Sequence, residues 1–208
     1  AAELALPLCA GREKAVAATK TFVASLVALA GIVAGWAGDA ALEAAIRNLP
    51  QRLAEALQCD WSKALQPMAR IDGLFVVSRG PSLAIAEEAA LKFKETCRFH
   101  AEAYSAAEVL HGPVELAGEN FTALTFQTRD AGNQSIVEAA NTMRAAGARV
   151  FSVGGSGSHT LPTVEAGHPL LDPVCQIVSF YRFVESLSVA TGHNPDAPQR
   201  LSKVTVTV

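Results

Sequence analysis

From residue 73 onward, short apolar runs alternate with helical stretches, and this alternation restricts the fold of the 208-residue chain more than any other feature. "GLFVVSRG" (73–80) reads as a strand, and the segment from Pro81 to Cys97 as a helix. "FTALTFQT" (121–128) is the next strand candidate, followed by the helical "NQSIVEAANTMRAAG" (133–147). "ARVFSVGG" (148–155) is another strand, and "DPVCQIVSFYRFVESLSVATG" (172–192) a long helix opened by Asp-Pro and closed by glycine. Strands that alternate with helices pair in parallel through crossover connections. The expected fold class is therefore α/β, a doubly wound parallel sheet flanked by helices. A hydrophobic content of 50%, much of it alanine and valine, suits helices packed closely on a buried sheet.

Upstream, "EKAVAATKTFVASLVALAGIVAGWA" (13–37) reads as a long helix, with further helices near 39–57 and 60–70. Thr21 to Gly38 is a run of 18 uncharged residues, just long enough for a membrane span. Its alanine and glycine content, with no second such segment, favours a buried helix of a soluble protein and no membrane partner. A net charge of −3 and a pI near 6.0, without a basic run, argue against nucleic acid and anionic membrane surfaces. Cys9, Cys59, Cys97 and Cys175 lie far apart and form no CxxC, so reduced cysteines of a cytoplasmic protein are expected, with no metal site. The chain opens on "AELALPLC" without a methionine, like the end of a strand, and further sequence upstream is expected.

Within the helix from Pro81, Ala86, Ala89, Ala90, Phe93 and Cys97 form an apolar stripe, with Glu88, Lys92 and Glu95 on the other side. On spacing alone, a solvated salt-bridged face accounts for those three charges. "SRGPS" (78–82) joins a strand to a helix N-terminus, where amides and hydroxyls suit a phosphate, although many such turns bind nothing. "GGSGSH" (154–159) reads as a flexible loop. Ser105 and Glu108 have capping-box spacing, opening a short helix that ends at Gly112–Pro113 with His111 as its last residue. A histidine there serves either as a C-cap partner or as a proton donor. Lys203, in a tail of valine and threonine, is open to both readings as well.

Taken together, "EKAVAATK" (13–20), "ALKFKETCRFHAEAYSAAEVLHGPVEL" (90–116) and "DAPQRLSKVTV" (196–206) resemble the sugar isomerase (SIS) family. The likeness is to the isomerase half of glucosamine-6-phosphate synthase and to SIS-type glucosamine-6-phosphate deaminases. The resemblance implies a five-stranded parallel sheet between helices. Residues 1–37 would be the end of a first SIS subdomain, 38–59 a connecting helix, 60–192 the second subdomain, and 193–208 a tail that reaches the active site. The first subdomain's phosphate-holding loop would then lie outside these residues, leaving the chain alone inactive.

By motif position, the resemblance implies that Glu95 moves a proton between C1 and C2 and that Lys92 lies near the substrate. His111 would open the sugar ring in the neighbouring subunit's site, which makes a homodimer the expected assembly. Lys203 would form a Schiff base with the open-chain ketose, and Val16 would approach the sugar through its backbone. The partner is a small-molecule sugar phosphate, and no cofactor is implied. Ala18 stands where the family commonly has serine, which leans the expectation toward a deaminase. The alternatives are the isomerase half of the glutamine-dependent synthase and a non-catalytic sugar-phosphate sensor.

Overall fold

The computed structural model describes residues 3, 5–71 and 73–203. Five strands, β1 (Gly73–Ser78), β2 (His100–Ser105), β3 (Thr122–Phe126), β4 (Arg149–Val153) and β5 (Thr160–Leu161), form one parallel sheet. Their order is β2-β1-β3-β4-β5, so the chain reverses direction across the sheet between β1 and β3. The expected α/β doubly wound architecture is present.

Two strands were not evident in the sequence. β2, "HAEAYS", offers only Ala101 as a fully buried residue, as befits an edge strand with one neighbour. β5 has two residues, and the preceding "GGSGSH" is a formed turn, not a free loop: Gly154 N–H donates to Leu161 O and Thr160 N–H to Gly157 O.

Alternate residues of each strand feed opposite faces. Leu74, Val76, Leu124 and Phe126 pack with Ile85, Phe93 and Phe180 from α4 (Leu83–Lys92), the turn after it, and α7 (Asp172–Ala190). Phe75, Val77, Ala123 and Val150 pack against α5 (Ala106–Val109) and α6 (Asn133–Ala145). Covering both faces is what permits such apolar strands. At the β1–β2 seam, a Cβ added to Gly73 would stand 2.6 Å from the His100 carbonyl oxygen. Gly73→Ala should therefore destabilise the fold by about 1–3 kcal/mol, the usual cost of overpacking, read as a lowered urea midpoint. An unchanged midpoint would mean that the seam can widen freely.

Helices α1 (Lys20–Ala37), α2 (Ala40–Ala56) and α3 (Ser62–Met68) precede the sheet. Gly38, left-handed at φ 64°, and Asp39, whose carboxylate accepts from Leu42 N–H at 2.9 Å, make the turn between α1 and α2. The α1 helix begins at Lys20, not near residue 13, because the Glu13 carboxylate accepts from the Thr19 and Thr21 amides and caps it from outside. Nor is α1 buried, as its composition suggested. Ala30 and Ala34 pack against α2 and α7, while Leu29, Ile32 and Trp36 are exposed, Trp36 at 89%. By length and composition α1 is apolar enough to cross a membrane, and 11% of it is buried in the chain.

Candidate active site

The chain around Glu95 leaves regular helical geometry. After Lys92 the helix widens into a single π turn, Phe93–Cys97, closed by Arg98 in the left-handed region at φ 61°. Thr96 contributes by donating its hydroxyl to the Lys92 carbonyl at 2.7 Å, competing with the regular backbone ladder. Isolated π turns occur frequently at functional sites because they re-aim one side chain without ending the helix.

The charges of α4 are not a solvated face. Lys92 is 3% exposed, and its ammonium lies 2.7 Å from Glu95 Oε2 and 3.2 Å from Glu88 Oε1. Spacing correctly put the three together, but Tyr181 of α7 closes over them and donates its hydroxyl to Glu88 Oε1 at 2.7 Å. Burial raises the Glu88 carboxyl above its ordinary range, partly opposed by Lys92 and Tyr181. The Tyr181 phenol is driven far up by burial and by the Glu88 charge. Glu95 differs from its buried neighbours in that its side chain keeps 20% of its surface. An ammonium held on one side and solvent access on the other suit a carboxylate that exchanges protons with a bound molecule.

Glu95 lines two adjoining crevices of about 440 and 190 Å³. Lys94, Arg98 and Phe99 form one wall, and His193, Pro198 and Gln199 of the C-terminal segment form the other. Arg98 donates to Gln199 Oε1 at 2.7 Å and fastens the segment there. Further along, Lys203 donates its ammonium to the Ala15 carbonyl, and Val16 N–H donates to Asp196 O at 3.2 Å. Val16 and Lys203 thus meet through the tail that walls the Glu95 crevice. Val204 and the residues beyond it lie outside the described region.

His111 stands apart from this group, exposed beyond α5, and lines neither crevice. It is not the last residue of a helix: α5 ends at Val109. The capping box is absent because Ser105 makes no cap bond, its hydroxyl accepting instead from Arg79 Nη1 at 3.5 Å. In "SRGPS", Ser78 is committed to Phe126 O at 2.9 Å, so its hydroxyl serves the sheet. A larger cavity of about 800 Å³ opens at the N-terminal ends of the strands, beside Gly73, Thr122 and Arg149, and holds none of the candidate residues.

Sequence reasoning missed Tyr181, which lies 93 residues from Glu88. Nothing local marks it, since only packing of α7 on α4 brings them together. It also missed the Arg129–Asp172 pair, bonded twice at 2.6 and 3.0 Å, in which Asp172 also accepts from Ala166 N–H and ties β3 to the start of α7. Among the described residues no group of three or more His, Cys, Asp or Glu is placed to hold a metal ion.

Residues 68–164 match the family described as SIS domain. A crystal structure of a protein from Silicibacter pomeroyi, provisionally assigned as a phosphosugar isomerase, is 46% identical with a TM-score of 0.84, over 91% of this chain and 58% of that one. The C-terminal domain of glucosamine-fructose-6-phosphate aminotransferase from Francisella tularensis is 25% identical with a TM-score of 0.81, over 89% of this chain and 58% of that one. The glutamine–fructose-6-phosphate aminotransferase (isomerizing) of Aeropyrum pernix is 34% identical across 100% of this chain. This chain spans 36% of that relative's length.

Proposed function

This chain carries an SIS domain, and from that premise we propose that it supplies the isomerising half of an aminosugar-phosphate site. The preferred reaction converts glucosamine 6-phosphate and water into fructose 6-phosphate and ammonia. The observation that carries this reading is Glu95 in the crevice wall, with the buried Lys92 ammonium on its Oε2 and part of the carboxylate open to solvent. In it, Glu95 moves a proton between C1 and C2 of the open-chain sugar, and the nearby Lys92 charge stabilises the carboxylate and the enediol oxygen. Lys203 forms a Schiff base with the C2 carbonyl, and Val16 approaches the sugar through its backbone. His111, remote from this crevice within the subunit, serves ring opening in the site of a second copy, which makes the working unit a homodimer.

A second reading is favoured by the Aeropyrum pernix relative: the same residues running toward glucosamine 6-phosphate in a glutamine-dependent aminotransferase. The two share Glu95 chemistry and differ in the nitrogen source. The full-length protein, given glucosamine 6-phosphate in D2O, should release ammonia and incorporate deuterium into the sugar at the carbon that receives the proton. Formation of glucosamine 6-phosphate from fructose 6-phosphate only when glutamine is present would select the aminotransferase. Neither exchange nor product with either sugar would overturn the isomerase reading altogether.

A further inference from the structure

We propose that Tyr181 is a positioning residue for this reaction, holding the Lys92 ammonium against Glu95 by way of Glu88. The inference rests on the proton-shuttle reading of Glu95. Phe180 is fully buried, its ring 5.1 Å from Phe93 and 6.2 Å from Phe126, and this fixes the rotation of α7. The next residue lies about 100° further round the helix, and there the Tyr181 hydroxyl reaches Glu88. Glu88 Oε1 therefore accepts from Tyr181 at 2.7 Å and faces Lys92 Nζ at 3.2 Å, while the same ammonium lies 2.7 Å from Glu95.

One cation shared by two carboxylates needs one of them fixed. When Glu95 takes a proton from the sugar it loses its charge, and Lys92 would then drift from it. A Glu88 pinned from α7 keeps a constant counter-charge, so the ammonium stays in place through the proton transfer. In so dry a setting a hydrogen bond to a carboxylate is strong enough to do this. Other charged groups face the cluster. Glu13, from the segment before α1, acts on Tyr181; Lys94 and Arg98 flank Glu95; His193 and Arg200 border its crevices from the tail. Among the described residues Tyr181 is the hydroxyl bonded to Glu88.

The test is a set of variants of the full-length protein assayed for turnover across pH. Tyr181→Phe should lower kcat about tenfold with KM little changed, the pattern of an interaction that matters in the transition state. Without its donor, Glu88 holds its charge less well, its carboxyl rising further, and Lys92 loses the fixed counter-charge that keeps it at Glu95. The acid limb of the profile should therefore move to higher pH. Glu88→Gln, which has no charge to lose, should lower kcat at every pH, and the double variant no further, because Tyr181 acts through Glu88. An unmoved pH profile in a folded Tyr181→Phe protein, or additive effects in the double variant, would overturn the inference. Glu95→Gln separates the two levels. If it abolishes turnover while Tyr181→Phe behaves as wild type, the positioning role alone fails; if Glu95→Gln is active, the shuttle reading fails first.

Discussion

Glu95→Gln in the full-length protein should lower kcat by about 10³-fold, within the range lost when a general base is removed, while KM stays within a few-fold. The amide keeps the shape of the side chain and its packing in the π turn, but it cannot accept a proton from carbon. Lys92 would retain Glu88 as a partner at 3.2 Å, so the fold should persist. Unchanged far-UV circular dichroism together with lost turnover is the expected pair of results. Turnover at the wild-type rate would remove Glu95 from the chemistry.

The second large effect concerns Lys92. Lys92→Met keeps the length and apolar stem but leaves two carboxylates facing each other inside the protein. Removing one partner of a buried ionic group typically costs about 3–5 kcal/mol. The sign of its pH dependence follows from Glu88, whose carboxyl is already raised by burial. A raised carboxyl contributes stability below its unfolded pKa, and that contribution is lost as pH climbs through the folded value. Without the lysine the Glu88 carboxyl rises further. The variant should therefore come close to wild-type stability in mild acid and fall well below it from neutrality upward. Urea titrations at pH 4.5 and pH 8 measure the difference. Equal deficits at both pH values would show that the ammonium does not neutralise these carboxylates.

Much of the architecture was legible in the sequence because it depends on local periodicity. The strand at 73–78, the helix after it and the long helix ending at Ala190 all follow from runs of apolar residues with clear stops. β2 escaped notice because an edge strand buries little, so "HAEAYS" carries no apolar run. The site was half legible. The i,i+4 and i,i+3 spacing brought Glu88, Lys92 and Glu95 together, and motif likeness selected Glu95. Their burial was not legible, because the covering groups, Tyr181 and the 193–201 segment, come from about a hundred residues away. Spacing within one helix cannot report what packs over it. The same limit applies to α1, where apolar composition suggested burial but only one stripe of it meets the rest of the chain.

The grip of the tail on residues 15–16 bears on the order in which the polypeptide is synthesised. The last sheet strand ends at Leu161, whereas the crevice wall runs from Gly192 to Leu201 and is anchored through Lys203 to Ala15. A nascent chain can complete its sheet while residues 192–203 are still inside the ribosomal exit tunnel. Glu95 then has no opposing wall, and residues 15–16 lack the partners that hold them. Assembly of the crevice thus waits until residues 192–203 have emerged, so a product truncated before Gly192 would carry the sheet without a closed crevice.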